Sequence, residues 1–439
     1  MPLVVAVGLT ACSRPPAEEP RQPVPPVSAT AATVSLAAAP AAPKWSYTPP
    51  NPGPDQRLRG PIAGDSRHVL MARFVDPGRP REAFKQVVDV VDATTGVARH
   101  VVEIGFDVDS CSVAGNGRTA LCAEQDLAGR FAVIDLETGA LTRVDDGIQG
   151  SSVVDATDDT YLVVGLPAGS EAGTRVRVLG ADGGTVWDAT VRGVQLLPGA
   201  GVVATRSASD SGRATVEAYS LDDGRKVLSR TFDVARPTVA GYAGGLVLDD
   251  GRRAEIYDSR GRTVAAAPEG WRAMSSTALL ATSNGRVPSV PVLIHADRPE
   301  VAAFSPNDGA QLWSRALPDA ADRCGRAEGV QGVGTKVIVS LPVQDAGSCA
   351  DPAAANETFD AYTGEPGPRF RFGPKDQGVA VGTDGTRVAV ATGSLPRTLA
   401  VWGQGPQPLW SREYRDRFGG MVSVRSFGDG IYADTQRVL

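Results

Sequence analysis

A β-propeller of four-stranded antiparallel blades is the fold predicted for this chain, on three observations. A strand, a tight glycine turn and a second strand recur from residue 45 onwards, and the turns are spaced near the length of one blade. Glycine (50) and proline (33) make up about a fifth of the 439 residues, more than average usage, so turns are many. No amphipathic helix of ordinary length interrupts the pattern.

The totals set the class. Hydrophobic residues are 42%, charged residues 21% and the net charge is −6, an ordinary soluble composition with no long block of one sign. A nucleic-acid partner would need a basic stripe, and none is present. No apolar stretch approaches the roughly 18 to 20 residues that span a bilayer as a helix, so no integral membrane segment is expected. Heavy use of alanine and arginine with scarce lysine resembles a GC-rich, actinobacterial coding bias.

Residues 1–11 read as the remnant of a signal peptide. Residues 3–11, LVVAVGLTA, have the length of an apolar h-region and end in Leu9-Thr10-Ala11-Cys12. That ending resembles the bacterial lipobox, in which small residues precede a cysteine that is acylated and becomes the new N-terminus. No Lys or Arg precedes the run, a departure from the pattern that an upstream start codon would explain. Cys12 is therefore the expected lipidation site and the expected start of the mature protein. Residues 12–44 read as a tether: 13–44 is rich in proline and alanine, nearly free of large apolar residues and unable to build a core. At a polyproline rise of about 3.1 Å per residue it reaches roughly 100 Å.

Residues 45–439 are the expected propeller. Eight hairpins, the first at 87–102 (VVDVVDATTGVARHVV), turn at Gly96, Gly139, Gly184, Gly224, Gly261, Gly309, Gly364 and Gly405, between 37 and 55 residues apart. The mean spacing is close to the 40 to 45 residues of a four-stranded blade. Glycine there supplies positive φ without a Cβ clash. Strand pairs before the hairpins, such as 160–166 and 386–392, are the expected inner strands. Eight hairpins predict eight blades, with seven as the alternative. The strand pair at 420–435 is expected to close the ring against the first blade.

The unit DxxTGxxxW resembles the repeat of PQQ-like β-propellers, the quinoprotein-dehydrogenase-like superfamily that includes outer-membrane assembly lipoproteins. Asp92 to Gly96 and Asp135 to Gly139 match the turn best, and Trp187, Trp313 and Trp410 fall at the tryptophan place. The resemblance covers about residues 60 to 439 and implies that these tryptophans dock blade against blade.

Four further cysteines pair at short range, Cys111 with Cys122 and Cys324 with Cys349, as suits an exported protein. In CSVAGNGRTALC a type I′ turn at Asn116-Gly117 would set Cys111 opposite Cys122, within bridging distance. Cys324 and Cys349 flank the strands around 332–341. Zinc is disfavoured, since no Cys-x-x-Cys occurs and His68, His100 and His295 are scattered.

Several motifs fail on context. Residues 115–120, GNGRTA, join two strands rather than a strand and a helix, and 329–336 has Thr and Lys in the wrong order for a P-loop. No G-x-S-x-G elbow is present. Asp158-Asp159, Asp222-Asp223 and Asp249-Asp250 lie in turns, where carboxylates cap backbone N–H groups. None shows an alternating calcium loop.

No catalytic residue, cofactor or metal ligand is assigned. The leading reading is a non-enzymatic, lipid-anchored scaffold on the outer face of a bacterial cell membrane, with an envelope protein as partner. The resemblance implies one rival, a dehydrogenase holding pyrroloquinoline quinone and calcium, although the vicinal cysteine pair of that family is missing. A second rival is a binder of cell-wall glycan through Trp271 and Trp402, which stand outside the docking positions.

Overall fold

The computed structural model describes residues 35–439 apart from 51–56, 76–84, 125–128, 145–147, 167–172, 198, 209–211, 275–286, 318–323, 325–328, 346–347, 373–377, 393–396 and 416–423. Cys12 and the signal remnant lie outside the described residues. Among the described residues, strands β1 to β36 form nine four-stranded antiparallel sheets.

The first blade is β2 to β5 (Arg57–Gly64, His68–Val75, Lys85–Asp92, Ala98–Glu103) and the second β6 to β9 (Val108–Val113, Thr119–Glu124, Phe131–Asp135, Leu141–Val144). The third is β10 to β13 (Ser152–Ala156, Thr160–Gly165, Thr174–Gly180, Thr185–Val191) and the fourth β14 to β17 (Val194–Gln195, Val202–Ala208, Ala214–Ser220, Lys226–Phe232). The fifth is β18 to β21 (Thr238–Tyr242, Gly245–Asp249, Ala254–Asp258, Thr263–Ala266) and the sixth β22 to β25 (Trp271–Ala273, Val292–His295, Glu300–Phe304, Gln311–Ala316). The seventh is β26 to β29 (Gly329–Val333, Lys336–Asp345, Ser348–Asp360, Pro366–Phe372) and the eighth β30 to β33 (Gly378–Thr383, Val388–Thr392, Arg397–Trp402, Pro408–Tyr414).

The ninth blade corrects the expected count of eight, or seven. β34 (Val424–Phe427), β35 (Gly430–Ala433) and β36 (Gln436–Arg437) take β1 (Trp45–Ser46) as their outermost strand. The C-terminal strand pair thus makes a blade of its own rather than completing another. Its fourth strand comes from the opposite end of the chain, so no hairpin marks it in the sequence. The register Trp45 opposite Arg437 and Ser46 opposite Gln436 holds β1 in place. Inner strands β2 and β6 touch, as do β6 and β10, and β34 touches both β30 and β2, which closes the ring. Closure leaves the inner strands no free edge.

Each blade presents its sides to its neighbours, and the apolar core lies in those seams. Leu70, Val88, Val90 and Ile104 of the first blade bury against Ala120, Ala132 and Ile134 of the second. Polar side chains near the axis stitch the seams. Ser110 Oγ accepts from Val153 N at 2.8 Å, Asp155 Oδ2 from Gly199 N at 3.0 Å, and Gln195 Nε2 donates to Val239 O at 2.6 Å. Arg425 Nη1 donates to Ile62 O at 3.4 Å across the last seam.

Because successive strands are antiparallel, the turns between first and second strands and between third and fourth strands gather on one face of the ring. We term it the turn face. The predicted hairpin turns are all of the second kind. Positive φ occurs at Gly96, Gly139, Gly224, Gly261, Gly309 and Gly364. In the third blade it falls on Gly183 rather than Gly184, and Gly405 does not share it. The two adjacent glycines of ADGG leave that register open in the sequence.

Candidate functional site

The repeated turn is a self-contained hydrogen-bonded box. Asp92 Oδ1 accepts from Thr94 N and Thr95 N, each at 2.9 Å, and Gly96 N donates to Asp92 O at 2.9 Å. Asp135 Oδ1 takes Glu137 N, Thr138 N and Thr138 Oγ1, and Asp360 repeats the arrangement with Tyr362 and Thr363. Arg99 beside Asp92, with the turn amides, holds its carboxyl down at about 2.

Glycine is required here for a second reason besides φ. The outer strand of the preceding blade lies on it. A Cβ at Gly96 would fall 2.6 Å from the Trp45 ring, and one at Gly364 2.6 Å from the Trp313 ring. Trp187 covers Gly224 in the same way, and His100 takes this place against Gly139, its Nε2 at 2.8 Å from Glu137 O. Trp313 Nε1 donates to Ala361 O at 2.8 Å, and Trp45 Nε1 donates to Ala93 O at 3.0 Å. In both cases the acceptor is the residue after the turn aspartate. Trp45 was not anticipated, because no repeat precedes it in the chain.

Trp410 breaks the series. The ninth blade has no such turn, and Trp410 Nε1 donates instead to Leu36 O at 3.1 Å. Leu36 N donates to Asp384 Oδ2 at 3.1 Å, Arg412 Nη1 donates to Pro40 O at 3.1 Å, and Lys44 N donates to Arg437 O at 2.8 Å. Leu36 is fully buried between the eighth and ninth blades. Burial pushes the Asp384 carboxyl up, but the Leu36 amide, Arg387 and the amides of Arg387 and Thr386 together bring it down to about 2. Residues 35–44, the last stretch of the expected tether, thus lie against the ring. The sequence signal was slight: Leu36 is the one leucine of the 13–44 segment.

The seam between the ninth and first blades holds a buried ion pair. Arg73 Nε donates to Asp89 Oδ2 at 2.6 Å and its Nη2 to Oδ1 at 3.1 Å. Tyr47, two residues past Trp45, donates its hydroxyl to Asp89 Oδ2 at 2.5 Å, and burial with this carboxylate drives the phenol far up from its ordinary value. Arg437 Nη1 adds a second donor to Ala93 O at 2.7 Å.

Cys111 and Cys122 are bonded, with Cα atoms 4.1 Å apart in directly opposed register. The turn that sets them differs from expectation. Gly117 alone has positive φ, Gly117 N donates to Ala114 O at 2.8 Å, and Ala114 N meets Thr119 O at 2.9 Å, giving a four-residue loop in the same register as the two-residue one. Cys324 and Cys349 are bonded with Cα atoms 5.2 Å apart, tying β28 to the connection before β26.

The histidines do not converge. His68 is buried with Nδ1 at 3.5 Å from Asp65, His100 sits on Gly139, and His295 meets the edge of Trp271 at 5.3 Å. Among the described residues no group of three or more His, Cys, Asp and Glu side chains is placed to hold a metal ion. Two of the three acidic pairs cap turns: Asp223 Oδ1 accepts from Arg225 N at 3.1 Å and Asp250 Oδ1 from Arg252 N and Arg253 N at 2.8 Å, while Asp249 Oδ2 reaches Ala273 N of the next blade at 2.8 Å and Asp159 Oδ1 accepts from Asn116 Nδ2 of the preceding blade at 3.0 Å. Trp271 is buried against Phe304, and Trp402 lies on Phe370 at 5.6 Å between centroids. Neither stands as an open aromatic platform.

No family model matches the chain, and no curated protein matches it. Among solved structures, the crystal structure of a eukaryotic initiation factor is 12% identical over 84% of this chain and 90% of that one, with a TM-score of 0.46. BamB from Moraxella catarrhalis is 14% identical over 85% and 92%, with a TM-score of 0.41. The dihydro-heme d1 dehydrogenase NirN in complex with DHE is 13% identical over 83% and 81%, with a TM-score of 0.40.

Proposed function

We propose that this nine-bladed propeller is a non-enzymatic scaffold of the bacterial cell envelope, exported, acylated at Cys12 and held to the outer face of the membrane, where it presents its ring to a protein partner. The observation that carries the reading is the built-in N-terminal approach. Residues 35–44 are fastened to the eighth and ninth blades and lead directly into β1, the outermost strand of the closing blade. A load on the anchor is thereby taken by the fastened seams rather than by a free end. Two disulfides support export, because such bonds persist in oxidising compartments. With 35–44 laid on the ring, the spacer of this reading shortens to 13–34, about 70 Å at the polyproline rise.

The test is recovery of the native protein from gently crosslinked membranes, with partners identified by mass spectrometry and Cys12→Ser as the unanchored control. A partner set that is reproducible and lost in the control is the expected result. A protein that comes out alone, or one whose membrane fraction is unchanged by Cys12→Ser, overturns the reading.

A further inference from the structure

The contacts of residues 35–44 are those of a bound peptide rather than of a blade. Three side chains of the eighth-blade region read its main chain: Asp384 the amide of Leu36, Trp410 the carbonyl of Leu36, and Arg412 the carbonyl of Pro40. One side chain, Leu36, fills an apolar slot formed by Val381, Leu399 and Tyr414 of the eighth blade and Val424 and Leu439 of the ninth. On either side Ser35 and Ala37 to Ala39 are exposed. Extended peptides are recognised in this way, with main-chain hydrogen bonds for affinity and a pocket for one side chain.

The slot also has a clear reason to exist. Elsewhere the outer-strand tryptophan docks on the next blade's turn, as Trp313 does on Ala361. The ninth blade offers no such turn, so Trp410 is left with a free indole N–H unless another backbone supplies the carbonyl. We propose that the slot between the eighth and ninth blades is a peptide-binding site for an extended segment carrying leucine among small residues. Its resident ligand is the chain's own Leu36 segment, and that segment exchanges with the corresponding segment of a second copy. Covalent attachment gives the resident segment an effective concentration on the order of millimolar, which sets the competition any incoming segment meets. The proposal is independent of whether Cys12 is acylated.

The experiment uses the full chain and a fluorescein-labelled peptide with the sequence of residues 35–44, SLAAAPAAPK. In the Leu36→Gly variant the resident ligand loses its anchor. Fluorescence anisotropy is expected to show saturable binding at least tenfold tighter than to the unaltered protein. Adding Trp410→Phe to that variant is expected to weaken it at least tenfold. Absence of saturable binding to a folded Leu36→Gly protein overturns the proposal, as does binding that Trp410→Phe leaves unchanged. Should Leu36→Gly not fold, hydrogen exchange of the unaltered chain decides. A Leu36 amide that exchanges at least a hundredfold faster than the amides of β31 to β33 supports an exchangeable ligand. Exchange in step with those strands overturns it.

Discussion

At the seam between the sixth and seventh blades, Trp313 covers Gly364 and donates to Ala361 O, and both blades come from continuous chain. At the seam between the ninth and first blades, Trp45 covers Gly96 and donates to Ala93 O in the same manner. There the likeness ends. The closing seam adds Arg73, Asp89 and Tyr47 in a buried network, and Arg437 as a second donor to Ala93 O. An ordinary blade inherits its register from short turns. The closing blade has to find β1 from nearly four hundred residues away, and its two-residue strand pairing specifies little by itself. A buried polar network tolerates few alternatives, since a misplaced partner leaves a charge unpaired. We read the extra polar groups as the means by which this seam chooses its register.

The largest expected effect breaks that network. Asp89→Ala leaves Arg73 buried without its counter-charge and should cost about 3–5 kcal/mol, read as a fall in the urea midpoint. Disrupting the exposed pair of the fourth blade, in which Arg213 Nε lies 2.9 Å from Asp233 Oδ1, should change it by less than about 1 kcal/mol. Equal losses would mean that burial in the closing seam adds nothing to the Arg73–Asp89 pair. Next come Gly364→Ala and Gly96→Ala, each about 3 kcal/mol from a left-handed backbone and overlap with a tryptophan. Unequal losses would reveal which seam yields more readily.

Tryptophan replacement sharpens the comparison. Trp313→Phe deprives Ala361 O of its donor and should cost about 2 kcal/mol. Trp45→Phe should cost less, because Arg437 still serves Ala93 O. Thermal melting of the two variants checks the order. The smallest effect is with pH. The Asp384 and Asp92 carboxyls are held at about 2 in the folded protein, against about 3.9 when unfolded. Their contribution is therefore complete above about pH 4 to 5 and lost as pH falls toward 2. Urea midpoints between pH 5 and 2.5 should fall, and Asp384→Asn should flatten part of that slope. A slope unchanged by the substitution would mean that the strap carbonyls and the slot, not this carboxylate, hold Leu36.

Much of the ordinary seam was legible beforehand, because its parts are local. Each turn glycine with its aspartate box, as at Asp92 and Asp135, and the opposed Cys111 and Cys122 depend on residues within a dozen positions of one another. The closing parts are not local. β1 is two residues long, β36 is two residues long, and neither carries alternation that marks a strand. Counting hairpins therefore missed the ninth blade. Leu36 escaped for the same reason: in a proline and alanine stretch one leucine carries no periodicity, and its partners lie some 350 to 400 positions away. At Asn116-Gly117 the register was readable although the turn type was not, because two loop lengths about the same centre place the same pairs opposite each other.

The pairing of Trp45 with Arg437 also sets an order of events. Residues 45 and 46 are made first among those that form the ring, and their partner strand is made last. Every intervening blade can pair with a near neighbour as soon as it is complete, while β1 waits. Contacts of such separation are slow to form, since loop closure is paid before they return anything. A chain halted before residue 436 would hold eight blades and an unpaired first strand. Completion of the ring is thus a signal, written into the topology, that all nine blades have been made.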